Sequence, residues 1–88
     1  MYTLFIKPDL AKEFDKLAKK NPKQMEIILK KVEEILQNPQ HYKNLRAPLN
    51  HWKRVHIDHH FVLTFFVDEN TKIVTLKDYD HHNNIYHY

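Results

Sequence analysis

The stretch His51–Tyr79, HWKRVHIDHHFVLTFFVDENTKIVTLKDY, decides the fold. It holds three runs rich in β-branched and aromatic residues: HWKRVHI, HFVLTFFV and KIVTLKDY. Such runs bounded by polar residues read as strands, and the four residues DENT between the last two suit a hairpin connection. In the first run Trp52, Arg54 and His56 face one way, and Lys53, Val55 and Ile57 the other, because successive strand side chains alternate. The second run is apolar on both sides apart from Thr64, the pattern of a central strand covered on both faces.

Upstream, Tyr2–Ile6 (YTLFI) is a short strand-type run stopped by Pro8. From Pro8 to Asn21, Leu10, Phe14, Leu17 and Ala18 recur at helical spacing, Asp9 can cap, and Lys19 and Lys20 suit the C-terminal dipole. Asn21–Pro22 breaks that pattern. Met25, Ile28, Leu29, Val32, Ile35 and Leu36 then form the apolar stripe of a second helix ending near Asn38–Pro39. The short link predicts an antiparallel helix hairpin, and His41–Leu49 reads as loop. Amphipathic helices need a sheet to cover. The expected fold is α+β, in the order β-α-α-β-β-β, with the helix hairpin packed on one face of a four-stranded, mostly antiparallel twisted sheet.

The 88 residues suffice for one domain, residues 1–88. A chain this small buries about 60% of its unfolded surface, so a partner would help it. It has no cysteine, which excludes disulfides, thiolate metal sites and cysteine catalysis. It has no glycine, which excludes Gly-rich phosphate loops and leaves turns to Asn, Asp and Pro. No apolar run reaches the roughly 20 residues a membrane span needs. The N-terminus lacks a basic lead-in and a small-residue cleavage site, so no membrane association and a cytoplasmic location are expected.

Charge is unevenly spread. The net charge is +3, yet residues 1–40 hold eight Lys and no His or Arg, whereas residues 41–88 hold all eight His and both Arg. Groups that titrate near neutrality, and forks suited to phosphate, therefore share the C-terminal half. Several imidazoles with a phenol, a guanidinium and aromatic faces suit cleavage of an RNA phosphodiester. That reaction needs a base for the 2′-hydroxyl proton, an acid for the leaving oxygen, a cation for the phosphorane charge, and a surface on which a base can stack. His56, His59, His60, His81, His82 and Tyr86 are the candidates, and they are expected to gather on the face away from the helices. No spacing resembles a dedicated metal site, so neither metal nor cofactor is expected.

LRAPLNHWKRVHIDHHFVLTFFVDENTKIVTLKDYDHHNNIY, residues 45–86, resembles the C-terminal half of the RelE/ParE toxin superfamily. HIDHHFVLTF is similar to the YafQ-type branch, where a strand carries His-Ile-acid-x-Asp-aromatic before an apolar run. HNNIY is similar to the terminal His-x-x-apolar-aromatic motif, and LRAPL to a Leu-x-Gly turn with Ala47 in place of Gly. The resemblance implies the toxin of a type II toxin–antitoxin pair, a metal-independent endoribonuclease cutting mRNA on the ribosome, with a cognate acidic antitoxin as partner. By that match His56, His60, His82 (or His81) and Tyr86 are catalytic. His60 stands where Asp is usual and Phe61 where an aromatic is. Of the strand arginines of the RelE-type branch only Arg54 remains, and Lys43, Arg46 and Lys53 join it as expected phosphate contacts. Two alternatives stay open: a non-catalytic, ParE-like toxin that binds gyrase, and a degenerate toxin that only binds its antitoxin.

Overall fold

The computed structural model describes residues 2–47 and 51–81. Its elements run β1 (Thr3–Ile6), α1 (Pro8–Lys20), α2 (Pro22–Gln37), a single 3-10 turn (Pro39–His41), β2 (Lys53–Ile57), β3 (Phe61–Asp68) and β4 (Ile73–His81). The expected β-α-α-β-β-β order and α+β class hold. Two helices pack on one four-stranded mixed sheet, ordered β1-β4-β3-β2. β4 pairs antiparallel with β3 and β3 with β2, whereas β1 lies parallel to β4, with Thr3 beside Ile73 and Ile6 beside Leu76.

One residue joins the helices. The Asn21 N–H closes α1 on the Leu17 carbonyl at 2.7 Å, and its Oδ1 accepts the Gln24 N–H at 3.2 Å to open α2. Proline then occupies the first turn of α2, where its missing donor costs nothing. Asp9, expected as a cap, lies inside the first turn of α1, where its charge complements the dipole; Lys7 holds the cap position.

The core lies between helices and sheet. Leu10, Phe14, Met25, Ile28, Val32 and Ile35 meet Val55, Ile57, Leu63, Phe65, Val74 and Leu76. Two helical positions of the expected stripes lie outside it: Ala18 is exposed, and Leu29 is 54% exposed. β3 is buried on both faces as expected. Its second face is covered by Leu45 and Trp52, which pack on Val62. Leu45 comes from the stretch His41–Leu49 that the sequence reads as loop, and Trp52, part of the expected first strand run, directly precedes β2. The link before β2 folds back along it: Leu45 N–H donates to the Trp52 carbonyl at 2.8 Å, and Arg54 N–H to the Lys43 carbonyl at 3.0 Å. A sheet edge is thereby covered.

The β3–β4 hairpin turns without glycine. Asp68 Oδ1 accepts the N–H groups of Asn70 (2.9 Å) and Thr71 (3.3 Å), and Lys72 takes φ 59°. Glu69 then ties the turn down. It accepts from Tyr2 Oη at 2.8 Å, from Lys72 Nζ at 3.0 Å and from Gln40 Nε2. These donors, Lys72 foremost and then Tyr2, hold its carboxyl below the ordinary value of 4.5.

One irregularity decides where the functional side chains point. Between Thr64 and Phe65 the register with β4 slips: Phe65 faces Leu76, but Thr64 faces Asp78. Lys77 is the extra residue of a β-bulge. Regular alternation from buried Leu76 would turn Tyr79 and His81 away from the helices. The bulge reverses this, and Tyr79 falls beside Leu63 and His81 beside Phe61.

Candidate functional site

The expected residues occupy one end of the sheet but not one side of it. Ile57, Phe61 and His81 form the last row of β2, β3 and β4, and His56, Val62 and Asp80 the row before. Cross-strand partners share a face and neighbouring rows alternate. His81 therefore belongs to the helix-side face with Ile57, and exposed His56 to the opposite face with Asp80. The expectation of one imidazole cluster on the uncovered face is corrected for this pair, and the cause is the Lys77 bulge. His82 and Tyr86 lie outside the described residues.

What the structure does bring together is His60, Phe61 and His81. The His60 ring, in the exposed turn between β2 and β3, lies parallel to that of His81, with centroids 6.0 Å apart and 8° between planes. His59 flanks His60 at 6.4 Å, and its Nε2 is 4.0 Å from Asp58 Oδ1. The turn closes through Asp58 at φ 58°, a conformation Asp tolerates better than most residues. Phe61 meets His81 edge-on at 5.9 Å and stacks on Tyr79 at 5.2 Å.

Tyr79, absent from the expected set, anchors this group. Its ring meets Phe14 of α1 edge-on at 6.0 Å, and its hydroxyl accepts from Gln24 Nε2 of α2 at 2.9 Å. Burial raises its phenol above 10.0, nearby Asp58 adds to that, and the Gln24 bond opposes both. Its hydroxyl stays protonated at neutral pH. The signal was in the sequence, as Tyr79 ends the third strand run, but only the bulge reveals which face it serves.

The face away from the helices carries a second group. Trp52, Arg54 and His56 share it, as alternation predicts. Arg54 lies in one row with Thr64 and Asp78. The Asp78 and Asp80 carboxylates turn to backbone, accepting the N–H groups of Tyr79 (3.0 Å) and His81 (2.7 Å) along the stretch of β4 beyond β1. Glu13 of α1 stands near both. Its carboxyl is raised above 4.5, first by burial, then by Asp78, Asp80 and Asp9, with Lys16 opposing. The β4 side is thus acidic, whereas the β2 side carries exposed Lys43 and Arg46 and half-buried Arg54. Lys53, an expected phosphate contact, stands apart from these cations. It is on the helix-side face, and its ammonium donates to the Tyr42 carbonyl and to Asn44 Oδ1, both at 3.1 Å. Among the described residues no three His, Asp or Glu side chains are placed to hold a metal ion. No helix there is long and apolar enough to cross a membrane.

Two neighbouring imidazoles can divide base and acid roles, and the cationic β2 side can attract a polyanion. Against known proteins, residues 4–86 match the family model described as ParE toxin of type II toxin-antitoxin system, parDE. The chain is 60% identical over 86 residues to a Methanocaldococcus jannaschii protein named "Putative toxin RelE4", covering 98% of this chain and 92% of that one. Its fold is similar to that in the YoeB-YefM complex from Staphylococcus aureus, with TM-score 0.76, 18% identity and coverage of 100% of this chain and 99% of that one. It is also similar to YafQ from Escherichia coli, with TM-score 0.67, 18% identity and coverage of 98% and 99%. The chain belongs to the ParE toxin family of type II toxin–antitoxin systems, within the RelE/ParE superfamily.

Proposed function

We propose that this toxin is an endoribonuclease that cleaves mRNA at the imidazole-bearing end of its sheet. The parallel His60–His81 pair is the observation that carries the reading. One imidazole takes the 2′-hydroxyl proton, the oxygen so freed attacks the adjacent phosphorus, and the P–O5′ bond breaks. The other imidazole protonates the departing 5′ oxygen. The products are a 2′,3′-cyclic phosphate and a 5′-hydroxyl. His56 and Arg54, on the other face at one row and three rows from the sheet end, contribute positive charge that draws the RNA backbone towards that end. His82 and Tyr86 follow His81 in the chain and complete the set that the family resemblance implies. Lys43 and Arg46 bind flanking phosphates.

The whole chain acts as one toxin domain in the cytoplasm, on ribosome-bound mRNA, and is neutralised by an acidic antitoxin. The solved complex of YoeB with YefM and the toxin name of the Methanocaldococcus jannaschii relative support the antitoxin partner. A disordered acidic segment would order on the basic β2 side and cover apolar surface such as Leu29.

The test is to map the ends of mRNA fragments after expression of the chain. Fragments with 2′,3′-cyclic phosphate and 5′-hydroxyl ends support the reading. Growth arrest with intact mRNA sinks it. The ParE name of the matching family keeps gyrase poisoning as the second reading, and loss of supercoiling activity beside unbroken mRNA would establish it.

A further inference from the structure

We propose that Trp52 and Lys77 form a nucleobase subsite on the face away from the helices, upstream of the cleavage residues. The proposal rests on the RNA-cleaving reading above and specifies how that RNA is gripped. The bulge puts Lys77 and Asp78 on one face in succession. Lys77 then reaches across β3, and its ammonium stands 4.4 Å from the centre of the Trp52 ring. The indole is fixed from the sides: Phe66 meets it edge-on at 5.7 Å, His51 is tilted against it at 5.2 Å, and it packs on Leu45 and Val62.

An indole in this setting is more than packing. The ring is only half-buried, and the cation over its face marks that face as electron-rich. Lysine is a mobile point charge on a flexible stem, so a planar base can displace it from the ring and leave the ammonium for that nucleotide's phosphate. Direction along β2 agrees. Trp52, Arg54 and His56 follow one another on one face at steps of about 6.6–6.8 Å, the scale of one nucleotide in an extended strand. A stacking ring, a guanidinium and an imidazole therefore lie in the order that a base, its phosphate and the phosphate approaching the sheet end would meet. Charge agrees on the β2 side, where Lys43 and Arg46 are exposed on the link beside Trp52; Asp78 and Asp80 share this face from β4, and each accepts a backbone N–H. The occupant is one base of single-stranded RNA. Stacking tolerates every base, so the subsite adds grip without a sequence code.

Trp52 is the sole tryptophan, so its emission reports the subsite directly. The probe is a short oligonucleotide, 2′-O-methylated throughout so that it cannot be cleaved, titrated into the full-length chain. A phosphodiester oligomer of equal length without bases is the control, and a labelled copy of each gives binding by anisotropy. Saturable quenching by the base-carrying probe only is expected. Trp52→Leu should weaken its binding about tenfold or more and leave the base-free oligomer unaffected. Lys77→Met should lower the salt dependence of binding by about one ion, and it serves if Trp52→Leu does not fold. The subsite is overturned if the probe binds with unchanged emission, if both probes quench equally, or if neither binds. The cleavage reading stands or falls separately, on the product ends.

Discussion

Removing the hydroxyl of Tyr79 tests how the core supports the site. Gln24 is 8% exposed and its amide donates to that hydroxyl at 2.9 Å. Tyr79→Phe keeps the ring on Phe61 and Phe14 but leaves the amide N–H without its acceptor. A buried donor stranded in this way costs about 1–3 kcal/mol, more than the net worth of about 1 kcal/mol for the bond itself. Gln24→Leu strands only a half-buried phenol that water can reach, so about 1 kcal/mol is expected. The double variant should lie above the sum of the two by about 1 kcal/mol, the signature of a direct contact. In a domain of this size each kcal/mol moves the melting temperature by about 4–8 °C. Urea unfolding followed by Trp52 emission gives the three values, with the slope unchanged in each. The alkaline limb is a second readout. Because the folded phenol titrates above 10.0, the unfolded state ionises first, and stability falls as pH rises beyond that value. Tyr79→Phe should flatten that limb, leaving the share of Tyr42, which burial also raises. A Tyr79→Phe protein within about 0.3 kcal/mol of the parent, or strict additivity, would refute the reasoning.

Three further outcomes follow from the same packing. Phe65 is fully buried in the central strand, so Phe65→Ala should cost about 3–5 kcal/mol, much of the stability of so small a domain, and urea midpoints will show it. Glu69→Gln should lower the melting temperature at neutral pH. The carboxyl is depressed below 4.5 in the fold, so its contribution is present above 4.5 and fades as pH falls through the folded value; the two proteins should converge in acid. Leu29→Lys should change stability by no more than about 0.5 kcal/mol, because that side chain is 54% exposed, and any loss of antitoxin affinity would then be an interface effect.

The fold was legible because its periods are clean. Phe14, Ile28 and Ile35 repeat at helical spacing, and Val55, Ile57 and the DENT turn show where the sheet reverses. The parallel β1–β4 pairing was not legible, as a four-residue strand carries no mark of its neighbour. Leu29 and Ala18 satisfied the helical pattern and still face outward, since period alone sets the width of a stripe and not the reach of the sheet beneath it. For the site, Arg54 and His56 were placed on their common face by alternation alone. His81 was not, because a single extra residue at Lys77 exchanges the two faces of everything after it. A bulge has no strong sequence signature when glycine is absent, and the acceptance of the Tyr79 and His81 N–H groups by Asp78 and Asp80 is visible only once the register is known. Leu45 falls in the stretch that reads as loop, because loop composition does not reveal a segment that folds back along an edge strand.

The most direct measurement is single-turnover cleavage of ribosome-bound mRNA by the purified chain beside His60→Asn and His81→Asn variants of unchanged melting temperature. If the stacked imidazoles divide the base and acid roles, each variant should cleave about 100-fold to 10,000-fold more slowly and lose one limb of the pH–rate profile. Cleavage at the parental rate and with the parental pH dependence by both variants would contradict the assignment of the reaction to this end of the sheet.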